Sequence, residues 1–460
     1  MYLKLNRDCR LRGYKGLPYC VVSPYSDTPL KYLSEEEFEL FRLADGETEI
    51  DLAEDLSERQ QLMYLANVGA GYFIECGEPS PIDDAQRYLC YPNAYIHGVY
   101  WSITGDCNLR CRHCYMHGGR NKYRELGRDE LFGLIRQFDE CGVMQVELSG
   151  GEPYVSPYFW DIVDEIKRRG MYIEYLHTNG LLLDDDFYEK SAKRDMHWII
   201  DISFDGVGTH DYLRATEGME AQTVAALRKV KENGLPLRVI SKFHQGSVHA
   251  VMDTYRLVRD IGADAWKISM VVPIGEATSH IKSAPAVCCD EYIDMLRQYR
   301  ADGNPFRLFF MEGVVQGASG GGFSFWENEC GGGDFEKRLS CAKARKRPYV
   351  LPDGTLLPCI GFSSSYQEQF MPNLLNTPLG EIYCSADSVF RRLVDIKACE
   401  VIEHNEECIK CEYRLKCCGG CRADAADTHP GIDAAYGRGM MLCSAYKSGF
   451  MEKLKQACIG

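Results

Sequence analysis

The sequence has no apolar run approaching the ~18 residues a membrane span needs, and its first residues, MYLKLNRDCR, have no apolar stretch of signal-peptide type. A cytosolic (cytoplasmic) chain with no membrane partner is the expectation. Positive charge is also short. Fifty-two Lys and Arg face 67 Asp and Glu, a formal net charge of −15, which argues against a protein that grips a nucleic-acid backbone, because phosphate affinity depends on clustered cations. The one dense basic cluster, Lys343, Arg345, Lys346 and Arg347, reads as a solvated hairpin face. Internal repeats and low-complexity tracts are missing too, so organisation has to be read from pattern.

What the chain does have is cysteine. Its 22 cysteines are far too many for a cytosolic protein that uses thiols only as small core residues. In a reducing compartment disulfides are disfavoured, so clustered cysteines point to metal or redox chemistry. At 460 residues, two to four domains are expected at ~100–200 residues each.

Three textures follow one another along the chain. Residues 1–92 read as short strands (YLKLN, LPYCVVS), two helical runs and a strand (GYFIEC), with Ser34 and Glu37 placed as a capping box; the expectation is a small winged-helix-like module. Residues 95–315 alternate apolar strands with amphipathic helices, six times over. That pattern means an α/β fold with a parallel sheet, in which chemistry collects at the carboxyl ends of the strands. Residues 325–460 are glycine-rich, then hairpin-like around Asp353-Gly354, then dense in cysteine, and read as an irregular domain held by metal.

Cys107, Cys111 and Cys114 stand in C-x3-C-x2-C, just after the first predicted strand of the second region. Tetrahedral zinc usually wants four ligands in two knuckles, whereas three thiolates on one loop can hold a [4Fe–4S] cluster with one iron left for another ligand. With Tyr115 behind the third cysteine, this loop resembles the signature of radical S-adenosylmethionine (SAM) enzymes. Gly150-Gly151-Glu152-Pro153, ending the next strand, resembles that family's GGEP segment, whose polar groups bind the SAM amine. The resemblance implies a partial (β/α)6 TIM-like barrel. It also suggests ribose contacts from Ser203 and Asp205 in DISFDG and a cofactor-pocket role for Asn179 in HTNG, with ordinary turn chemistry as the alternative for each.

Cys341, Cys359, Cys408, Cys411, Cys417, Cys421 and Cys443 form an ordered array that resembles the SPASM extension of such enzymes, which houses two auxiliary [4Fe–4S] clusters, making three in all. By resemblance, Cys341, Cys359 and Cys421 hold one and Cys408, Cys411, Cys417 and Cys443 the other. The first set is one ligand short. Cys330 is ranked first to complete it, with Cys399 or open coordination as alternatives. The remaining cysteines read mostly as small buried residues.

The N-terminal module is similar to PqqD-like elements that grip the leader of a ribosomally made precursor peptide as an added strand. Together these resemblances imply a peptide maturase fed electrons by a flavodoxin or ferredoxin. Thioether crosslinking from cysteine is the leading outcome; carbon–carbon crosslinking, epimerisation and formylglycine formation are the alternatives, and an iron–sulfur electron carrier is the non-enzymatic one. His177, Lys242, His244 and Lys267 are candidates for a general base, with none preferred.

Overall fold

The computed structural model describes residues 1–23, 29–281, 287–325, 336–426 and 431–459. At the front, two small sheets share a core with two helices. Tyr2–Leu5 lies between Asp45–Glu49 and Phe73–Cys76, antiparallel to both. The second sheet runs Leu30–Tyr32, Leu17–Val22, Arg10–Tyr14, Leu89–Cys90. The helices Glu35–Leu43 and Glu58–Gly69 begin at serines. Ser57 and Gln60 make the full reciprocal cap. Ser34 accepts from Glu37 N, but the Glu37 carboxylate turns away to Lys31 and Asn67, so the expected box is half formed.

The main sheet is built from parallel strands: Gly98–Ser102, Gln145–Ser149, Tyr172–Thr178, Ile199–Ser203, Leu237–Phe243, Ala265–Met270 and Arg307–Phe310. They pair in chain order. Six were expected. The seventh, RLFF, is too short to show a period of its own and is identified by its pairing with Ala265–Met270. Helices cover one face of the sheet, where Trp101, Leu148, Leu176, Ile202, Val239 and Trp266 are fully buried. Side chains alternate across a strand, so the other, concave face carries Tyr100, Glu147, His177, Asp201 and Arg238. A polar concave wall is what a partial barrel needs if a substrate is to enter it.

No barrel closes. At one edge the sheet continues into antiparallel Val315–Gly317 and Phe323–Phe325. At the other, Tyr349–Val350 runs parallel to Gly98–Ser102 and then turns through Asp353-Gly354 to antiparallel Leu356–Leu357. The cysteine-rich region is thus stitched to the barrel by backbone hydrogen bonds. The basic cluster is not a solvated hairpin face. Lys343, Arg345 and Lys346 lie on the short helix Ala342–Lys346, Arg345 pairs with Asp395 at 3.1 Å, and Arg347 reaches Glu147 and Gln145 on the barrel wall. The buried Glu147 carboxylate on that wall gives the arginine its partner. No helix among the described residues is long and apolar enough to cross a membrane.

Candidate active site

The loop carrying Cys107, Cys111 and Cys114 leaves the first barrel strand and is locked onto the loop leaving the second. Gly151 N donates to Thr104 O at 2.9 Å and Glu152 N to Asp106 O at 2.8 Å. The approach is too close for any side chain. A Cβ on Gly151 would stand 2.2 Å from Asp106 O, and one on Gly150 2.7 Å from Thr104 O. The two glycines therefore set the height of the cysteine loop over the barrel mouth.

Glu152 is fully buried. Its carboxylate accepts from Thr178 Oγ1 at 2.8 Å and Asn179 N at 2.8 Å. Burial outweighs these bonds and pushes its pKa up to about 7. A buried carboxyl in this state favours a cationic partner, since an ammonium group would restore the ionised form. Asn179 acts as a turn residue, its Oδ1 accepting from Leu181 N at 3.0 Å, and its Nδ2 donates to Asn108 Oδ1 in the cysteine loop at 2.7 Å. Pro153 starts a single turn of 3-10 helix after Glu152. Tyr115 packs towards Tyr349 of the cysteine-rich region, hydroxyl to hydroxyl at 3.3 Å, and Tyr349 meets Ser102 at 2.6 Å.

No three His, Cys, Asp or Glu side chains converge as a metal-holding group among the described residues, so fit to a cluster is read from the donors and the space around the sulfurs. Cys107 Sγ accepts from Leu109 N at 3.3 Å and Cys114 Sγ from Gly118 N at 3.1 Å. Arg214 Nη1 lies 3.6 Å from Cys111 Sγ. A Cβ on Gly118 would stand 3.5 Å from both Cys107 Cβ and Cys114 Sγ, so glycine keeps room between those two cysteines. Burial pushes the Cys107 thiol up to about 12, against the pull of Leu109 N. Three partly buried thiols, each with a donor aimed at it, fit a cluster whose iron supplies the charge that thiolates need.

Ser203 is half-buried at the end of the fourth strand. Asp205 sits beside Arg214, whose Nη2 lies 2.7 Å from its Oδ2, and Lys242 N donates to its Oδ1 at 3.0 Å. The sequence reading missed Arg214 and Asn108, because nothing in their spacing sets them apart. It also missed what surrounds His177. Nε2 of His177 lies 3.1 Å from Glu147 and Nδ1 2.9 Å from Asp201, with Arg238 on Asp201 and Arg347 on Glu147. Burial opposes the charge on His177, but Asp201 and Glu147 outweigh it and raise its pKa. Held on both nitrogens by carboxylates, His177 is fixed in the wall. Lys242 and Lys267 are half-buried on neighbouring strands, and His244 takes Gly246 N at 3.1 Å on its ring.

In the last region burial raises the Cys408 and Cys417 thiols, with the neighbouring Cys411 and Cys443 adding to it, and burial raises Cys421, with Cys341 adding to it. A Cβ on Gly361 would touch both Ala423 and Cys359 Sγ, which places Cys359 near the Cys421 segment. Cys399 faces Glu336 O at 3.7 Å. Cys330 lies outside the described residues. Of the other cysteines, Cys9, Cys20, Cys141, Cys289 and Cys458 are buried, as is Cys418, but Cys90, Cys288 and Cys384 are exposed, against the expectation for small core residues. A cavity of about 920 Å³ opens between the ends of the fifth and sixth strands and this region, lined by Gln245, Val272, Cys288, Asp290, Asp424 and Met440.

Residues 101–258 match the family described as the Radical SAM superfamily. The chain carries a radical SAM domain, a fold that implies SAM and a [4Fe–4S] cluster. It is 25% identical over 362 residues to an AdoMet-dependent heme synthase of Nitratidesulfovibrio vulgaris, covering 71% of this chain and 87% of that protein. It is 24% identical over 328 residues to a PqqA peptide cyclase of Gluconobacter oxydans, covering 70% and 84%. Its fold is similar to that of Streptococcus suis SuiB, solved bound to S-adenosylmethionine (TM-score 0.66, 14% identity, 95% of this chain and 99% of that one) and also bound to precursor peptide SuiA (TM-score 0.65, 13% identity, the same coverage).

Proposed function

We propose that this protein is a radical SAM peptide maturase that forms thioether crosslinks from cysteine in a ribosomally made precursor. The observation that carries the reading is the likeness to SuiB over almost the whole chain, front module included; SuiB has been solved with a precursor peptide. The similarity to a peptide cyclase supports the same substrate class. Residues 1–92 receive the leader, 95–315 hold the radical site and 325–460 form a SPASM region with two auxiliary [4Fe–4S] clusters.

Bound SAM, cleaved by one electron from a flavodoxin- or ferredoxin-type donor, supplies a hydrogen-abstracting radical. The chain's own residues do the rest. Cys107, Cys111 and Cys114 would hold the first cluster, Gly150 and Gly151 set the loop height, and Glu152 would take the SAM amine. Glu147, His177 and Asp201 keep a polar wall facing the substrate. Thioether formation removes one hydrogen atom from carbon, one proton from the cysteine thiol and one electron. An auxiliary cluster held by the SPASM cysteines would supply the acceptor for that electron.

The similarity to heme synthases favours a second reading, in which the substrate is a heme precursor. The two are separated by 5′-deoxyadenosine production in the reduced protein. Stimulation by full-length precursor peptide, weakened when its leader is removed, is the expected result. Stimulation by a heme precursor with none by peptide would overturn the proposal.

A further inference from the structure

Behind the cysteine loop lies a buried ion pair that the cleavage chemistry does not itself require. The short helix His210–Arg214 is sewn to the loop, with Arg112 N donating to Leu213 O at 2.8 Å and Arg112 Nε to Tyr212 O at 3.0 Å. From its end Arg214, with its side chain 10% exposed, extends between Asp205 and the cysteines. Nη2 faces Asp205 Oδ2 at 2.7 Å and Nη1 faces Cys111 Sγ at 3.6 Å. Its Nε is buried with no hydrogen-bond partner. Asp205 is fully buried and pinned by Lys242 N of the fifth strand.

We infer that the Asp205–Arg214 pair is a positioning device that sets the reduction potential of the first cluster. A neutral pair has a direction when it is held rigid: here the guanidinium end points at sulfur and the carboxylate end points away. Hydrogen bonds and fixed charge at cluster sulfurs are among the main determinants of potential. A cation 3.6 Å from Cys111 Sγ stabilises the reduced, more negative cluster. The carboxylate behind it moderates that effect and stops the arginine from leaving. His113 Nε2 also lies near this carboxylate, 3.5 Å from Asp205 Oδ2. The inference rests on ligation of the first cluster by Cys107, Cys111 and Cys114, and not on the identity of the substrate.

The test is an EPR-monitored redox titration of the reconstituted full chain, following the signal that changes when SAM is added. Arg214→Met is expected to lower the potential by at least a tenfold change in the reduction equilibrium, about 59 mV for one electron. Arg214→Lys should recover much of it, and Asp205→Asn should move the potential upward. Opposite signs from the two halves of one pair are what a charge effect requires, whereas loosened packing would move both the same way. Shifts of the same sign, or none, would overturn the inference. A SAM-sensitive signal that survives replacement of all three cysteines would instead remove the cluster assignment beneath it.

Discussion

Glu152 offers the sharpest opposition between stability and function in the molecule. It is fully buried, and its carboxyl titrates at about 7 in the fold against ~4.3 in an unfolded chain. A raised carboxyl pKa leaves stability intact at low pH, where both states are protonated. Stability is lost as pH rises through the unfolded value and up to the folded one. By pH 8 the penalty reaches roughly 3–4 kcal/mol, at 1.36 kcal/mol per pH unit. Glu152→Gln cannot ionise and escapes it, at a cost of about 1 kcal/mol for poorer bonding to Thr178 and Asn179. Without SAM, variant and wild type should therefore unfold at similar denaturant concentrations near pH 5, with the variant ahead by roughly 2–3 kcal/mol at pH 8. With SAM present the order should reverse, because the amide cannot pair with the bound amine. The assay is denaturant unfolding at both pH values, with and without SAM. A gap between the two proteins that stays constant or narrows from pH 5 to 8 would refute the reasoning.

Gly151→Ala drives a Cβ into the Asp106 carbonyl; overpacking of about 1–3 kcal/mol and reduced iron uptake at the first site are expected, measured by thermal unfolding and iron analysis after reconstitution. Arg347→Met removes the cation facing Glu147, leaving a buried carboxylate short of a partner. Stability should fall by about 3–5 kcal/mol, and pairing it with Glu147→Gln should restore part of the loss. Replacing Cys408 and Cys417 with alanine should lower iron content by one cluster and abolish crosslinked peptide while 5′-deoxyadenosine is still formed; unchanged iron would refute their role as ligands.

The parts of the site carried by local pattern were legible in the sequence. Spacing placed Cys107, Cys111 and Cys114 on one loop, and strand periodicity put Gly150 to Pro153 at the next strand end, where the structure joins the two. Asp353-Gly354 marked the later hairpin correctly. Features made by distant partners were not legible. Tyr349–Val350 carries too few residues to announce that it will pair with Gly98–Ser102, and only the unmet backbone edge of that strand accounts for it. Arg347 looked like one of several surface cations until Glu147, 200 residues away in sequence, was seen to face it. Asp205 sits where a ribose contact was expected, but Arg214 claims one of its oxygens and Lys242 N the other. The Ser34 cap kept its backbone half and lost its carboxylate half to Lys31 for the same reason. A charged side chain takes the best partner the fold brings, which local spacing does not record.

The most direct test of the peptide-maturase account is mass spectrometry of a cysteine-containing precursor peptide after anaerobic incubation with the reduced, reconstituted protein and SAM. The account predicts a loss of two hydrogens per modified cysteine, abolished when Cys107, Cys111 and Cys114 are replaced. Unmodified peptide alongside abundant 5′-deoxyadenosine would contradict it.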